Sequence, residues 1–135
     1  MNRMYHFRGF VLPVLAVAIG CFATNCNSSW FRRAATVVGE EAAYAALQSA
    51  LAKAGVVSAD HMVDAVRLVV DHKDYGGAAA AFVVAQNEHN LRASQKMTST
   101  QVIAVMRLAE PTVRRASPRV AAGLTGFCDY VSGNR

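Results

Sequence analysis

The side chains best suited to chemistry cluster in the middle of the chain. His61 and Asp64 stand three apart, and Asp71-His72 follows further along. Imidazole and carboxylate are the groups a divalent metal such as zinc takes as ligands. The spacing lacks the rest of a metal site, because no His-Glu-x-x-His run and no cysteine pair accompanies them. Histidines and aspartates spread in this way read as solvated positions on a helix, and Glu88-His89 reads as a surface pair. No metal and no cofactor is expected. Gly-x-Ser-x-Gly elbows, phosphate-cradling loops and dinucleotide fingerprints are absent. Gly76-Gly77 ahead of a helix could offer free N–H groups to an anion, but the simpler reading is a turn. The chain reads as a binding protein and not as an enzyme.

Three cysteines remain: Cys21, Cys26 and Cys128. If Cys21 is modified or removed, an even pair is left, and in an oxidising compartment that pair suggests a Cys26–Cys128 disulfide. Closing so long a loop is worth about 4–5 kcal/mol in the chain-entropy account. The alternative is a buried free thiol at Cys128, since cysteine is among the most buried residue types.

The chain carries a formal net charge of +5 and a pI near 9.5. Arg107, Arg114, Arg115 and Arg119 form a candidate basic contact patch for lipid headgroups or an acidic partner. No Lys/Arg run interleaves with aromatics, so nucleic acid is not an expected partner. Arg114-Arg115-Ala116-Ser117 has the look of a basophilic kinase site, but Ser117 before Pro118 is explained as a helix cap. Asn27-Ser28-Ser29 fits the glycosylation triplet, relevant only in a eukaryotic secretory host.

The front of the chain speaks to location. Arg3, His6 and Arg8 form a basic head, and Phe10 to Ala23 is an uncharged apolar run with a small-residue exit. That is the layout of an export signal. A spanning helix needs about 20 apolar residues, and Pro13 interrupts this run. A retained membrane anchor is the alternative. A mitochondrial presequence is the third reading, because no acidic residue precedes Glu40, although such presequences are amphipathic.

Within this leader Val17-Ala18-Ile19-Gly20-Cys21 resembles a bacterial lipobox, with Ala18 where the strongest examples carry leucine. The resemblance implies acylation of Cys21 as the new N-terminus, and two acyl attachments hold a protein firmly on a membrane. Ordinary cleavage after Ala23 is equally consistent with the residues. In size, lipobox and inferred helices the chain resembles the pilotins, small helical lipoproteins that escort secretin subunits. Small periplasmic immunity proteins share the same outline. Both likenesses imply a protein partner in the envelope and attachment through lipid or anchor. A single-span accessory subunit of a larger bacterial or mitochondrial complex is the alternative.

The body is expected to be all-α, a small antiparallel bundle of four to five helices behind an N-terminal hydrophobic signal helix. The layout is a signal peptide or anchor over 1–23, a tether over 24–35 and a helical domain over 36–135. The composition is 53% hydrophobic and 17% charged, which supports a packed core. A first helix starts at Trp30 or Thr36 and stops before Gly55, with Val37, Tyr44, Leu47 and Leu51 inward. Ser58 caps a second helix with Met62, Val63, Val66, Val69 and Val70 inward, ended by Tyr75-Gly76-Gly77. The third, Ala78 to Asn90, turns Ala78, Phe82 and Ala85 inward. Ser99 or Thr100 caps the fourth, whose dense apolar run from Val102 to Ala109 suggests a central position until Pro111 kinks or ends it. Ser117-Pro118 opens the last, with Val120, Leu124, Phe127, Cys128 and Val131 on its core stripe.

Overall fold

The computed structural model describes the backbone of residues 28–133 and the side chains of 32–133. The leader, its lipobox-like stretch and Cys26 lie outside the described residues. The elements are α1 (Ser28–Lys53), α2 (Ala59–His72), α3 (Tyr75–Arg92), α4 (Ser99–Ala116) and α5 (Pro118–Val131), and no strand occurs among the described residues. Contacts divide the chain into units of residues 1–37 and 38–135. The described part of the first is the helical stretch 28–37, where the Thr36 hydroxyl donates to the Arg32 carbonyl at 2.8 Å. The second unit holds the core. The tether expected over 24–35 is thus helical from Ser28 onward.

The end of α1 is set by one glycine. Gly55 sits at φ +97°, a left-handed conformation that costs a residue without Cβ little. Its N–H donates to the Ala52 carbonyl at 3.0 Å, and the Val56 N–H reaches the Leu51 carbonyl at 3.0 Å. This is the paired closure of a Schellman end, and Val56 and Leu51 bury together beneath it.

The next break falls elsewhere than expected. Lys73 takes φ +54°, and the Asp74 carboxylate accepts the Gly77 N–H at 2.9 Å to cap α3. Gly76 and Gly77 therefore belong to the first turn of α3 and do not end α2. The cap explains Gly77, because a Cβ there would collide with the Asp74 carboxylate. Asp in this position satisfies a donor that the helix itself leaves unpaired.

Thr98 and Gln101 form a reciprocal capping box at the start of α4, at 3.2 and 2.8 Å. Pro111 does not end α4, which continues to Ala116. Ala109 and Val113, buried on either side of the exposed Pro111, hold both halves of the helix against the core. Ser117 then serves two helices, its N–H closing α4 on Val113 at 2.8 Å and its hydroxyl accepting the Val120 N–H at 3.3 Å.

The core gathers Tyr44, Leu47 and Leu51 of α1 with the expected valines and Met62 of α2, and with Phe82 of α3. It also takes Val102, Ile103 and Met106 of α4, and Val120, Leu124, Phe127 and Cys128 of α5. Phe82 and Phe127 meet edge to face at 5.5 Å between ring centres. α5 packs on α2, α3 and α4, and Gly123 permits its approach to α2, since a Cβ there would strike Val70. Two expectations fail at the edges. Val37 is 59% exposed, because no described residue covers the stripe that far toward the start of α1. Leu108 is 82% exposed, so α4 is an amphipathic outer helix and not a central one.

Candidate docking groove

Two helical stripes face each other across an open channel. On α1, Ala46, Ser49, Ala50 and Lys53, with Ala54 just past the helix end, recur at the three-four spacing of one helix face. On α4, Gln101, Ala104, Val105, Leu108, Ala109 and Thr112 do the same. Between them lies a mostly apolar cavity of about 540 Å³. It continues past Ala54 and Val105 into a second of about 590 Å³, walled by Gly55, Val57 and the loop after α3. The alanines form a shallow floor, and Leu108 stands on the rim. Both cavities are free of Asp and Glu, whereas Lys53, Arg92 and Lys96 line them. Arg92 is engaged by Glu88 at 2.7 Å, while Lys53 and Lys96 pair with no acid among the described residues.

The wall of this channel is fixed from behind by His89. It is 1% exposed. Its Nδ1 accepts the Val57 N–H at 3.0 Å, and its Nε2 donates to the Gln95 carbonyl at 3.0 Å. Only the neutral ring protonated on Nε2 makes both bonds. Gln86 donates to the Met97 carbonyl at 2.7 Å, and Asn90 accepts the Met97 N–H at 3.0 Å. Ser58 adds a buried bond to the Ala85 carbonyl at 2.6 Å. The expected surface pair of Glu88 and His89 is therefore not formed: His89 turns inward and Glu88 turns to His61, at 2.5 Å, and to Arg92. Glu88 holds the His61 imidazole above its ordinary range, helped by Asp60, and His61 in turn holds the Glu88 carboxyl low.

The other sequence candidates are scattered. Arg107 pairs with Asp129 at 3.0 Å and Arg114 with Glu110 at 3.5 Å. Arg119 joins three helices, reaching Glu40 at 2.8 Å, Asp71 at 3.6 Å and the Val70 carbonyl at 3.1 Å. Arg115 is exposed and makes no ion pair among the described residues. The four arginines do not present a common set of unpaired charges. Cys128 is a free, buried thiol, pushed up to about 11 by burial, and it borders a recess of about 190 Å³ beside Arg107. Among the described residues no group of three or more His, Cys, Asp or Glu is placed to hold a metal ion. No described helix is long and apolar enough to cross a membrane.

A second polar cluster joins α1 to α2. Arg67 grips Glu41 through both guanidinium nitrogens at 3.1 Å and lies 3.9 Å over the Tyr44 ring. Tyr44 is 3% exposed and its hydroxyl finds no hydrogen-bond partner among the described residues. Burial pushes that hydroxyl up to about 12, with Asp71 adding to the effect. The arrangement braces two helices.

Among the described residues, fold and groove together give a small helical bundle with an alanine-floored channel. No protein-family model, no curated protein and no solved structure matches this chain.

Proposed function

We propose that the protein is exported to the cell envelope and works there by holding a protein partner, in the manner of a pilotin or an immunity protein, and not by catalysis. The observation that carries this reading is the open channel between α1 and α4, with Leu108 standing 82% exposed on its rim. Helical proteins commonly recognise partners through such apolar grooves. The basic head, the uncharged run Phe10 to Ala23 and the small-residue exit support export. Acylation at Cys21 would attach the chain to a membrane; the Cys26–Cys128 disulfide, which the free and buried Cys128 thiol of the structure does not form, belongs to the same proposal.

Mass spectrometry of the chain from fractionated cells tests it. An acylated Cys21, or a free Thr24 in the envelope fraction, supports the reading. An intact Met1 in the membrane fraction favours the single-span accessory subunit instead. Intact, soluble cytosolic chain with all three thiols reduced overturns both.

A further inference from the structure

We infer that the α1/α4 channel receives an amphipathic helix from a protein partner, apolar on the face that enters and acidic along the edge that meets Lys53 and Lys96. This rests on the reading that the protein works by protein contact, and it adds the chemistry of the partner.

Shape comes first. The α4 stripe from Gln101 to Thr112 runs about 16 Å at 1.5 Å per residue, or three helical turns. Ala46, Ala50 and Ala54 stand one turn apart along the floor on the α1 side, so a third helix can approach closely. Leu108 then packs into the incoming helix as its partner's ridge would require. A partner strand would need a free sheet edge, and no strand occurs among the described residues.

Charge decides the occupant. The channel is lined by cations with no acid among its lining residues, and Lys53 and Lys96 are unspent. A second copy of this chain, seated groove on groove about a two-fold axis, would bring these same cations together. Like charges at an interface oppose association. An anionic membrane surface would meet the lysines but leave the recessed alanine floor uncovered. A helix with glutamates along one flank satisfies floor and rim together.

The test uses the full-length chain in phosphatidylcholine nanodiscs and two synthetic fluorescein-labelled peptides of about 18 residues. Both carry a leucine-alanine face; one has glutamates on its flanks and the other lysines. Fluorescence anisotropy is read with empty nanodiscs as blank. The acidic peptide is expected to saturate, the basic one not to bind. Leu108→Glu should weaken binding about tenfold or more, since burial of a leucine is lost. Lys53→Glu with Lys96→Glu should weaken it about five- to tenfold or more and invert its salt dependence, since salt then screens a repulsion. Val84→Glu, on the exposed face of α3, should leave it unchanged.

Absence of saturable binding, equal binding of both peptides, or binding indifferent to Leu108→Glu overturns the inference. So does groove-dependent self-association in sedimentation. So does lysine-dependent binding of phosphatidylglycerol vesicles without peptide binding. Each of these leaves the export reading untouched, and a cytosolic intact chain leaves the peptide result untouched, so the two failures are separable.

Discussion

The Val57 N–H ends on the Nδ1 of the buried His89, 32 positions further along the chain, at 3.0 Å. The opposite nitrogen of the same ring holds the Gln95 carbonyl. Val57 and Gln95 both line the channel, so one buried imidazole ties together two segments of its wall. His89→Leu would leave a part-buried donor and acceptor without their partner, each costing up to about 1–3 kcal/mol, and would remove the imidazole that joins the two segments. We expect a loss of about 2–4 kcal/mol in denaturant unfolding. Amide exchange should quicken over residues 93–98 in the same variant.

Gly123 answers to packing and not to backbone freedom. A methyl group there meets Val70 of α2. Alanine is the better helix former by about 1 kcal/mol, but overpacking costs about 1–3 kcal/mol. Gly123→Ala should therefore lower the melting temperature, and the double variant with Val70→Ala should recover part of the loss.

Tyr44 offers a substitution with the opposite outcome. Its hydroxyl is buried without a partner, so removing it relieves a polar group that gains nothing from folding. Tyr44→Phe keeps the ring beneath Arg67. Unfolding free energy should stay within about 0.5 kcal/mol of the parent or rise. In the parent, ultraviolet titration should show one tyrosine ionising only near pH 12.

The His61–Glu88 pair ties α2 to α3 and responds to pH. His61 is raised from 6.5 by the Glu88 hydrogen bond and the Asp60 charge, so its contribution is complete below the unfolded value and fades as pH climbs through the folded one. Glu88 is lowered from 4.5, so its contribution is complete above that value and fades as pH falls through the folded one. The link is strongest between the two titrations. An NMR titration of the His61 ring should give a midpoint above 6.5 that returns toward it in Glu88→Gln.

Helix content and most of the core were legible because Met62, Val66, Phe82, Leu124 and Phe127 recur with the period of a helix, which burial rewards. The Ser117-Pro118 start was legible because both residues are suited to that one position. His89 was not, since a lone histidine beside a glutamate looks the same in sequence whichever way the ring turns. Its inward turn depends on Val57 and Gln95, which reach it only through the tertiary fold. The turn before α3 reads from Gly76-Gly77 in the sequence, whereas the structure sets it at Lys73 and Asp74, whose carboxylate needs the space that Gly77 leaves. The channel left a trace in the alanines at 46, 50 and 54, but only the exposure of Leu108 distinguishes a groove from a buried seam.

Site-specific photo-crosslinking in intact cells tests the central claim most directly. A benzophenone side chain placed at position 108 of the full-length chain should yield a discrete envelope-located adduct whose mass exceeds that of the chain by one protein partner. The same group at the exposed position 84 should not. Adducts of equal yield from both positions, or none from position 108, would contradict the account.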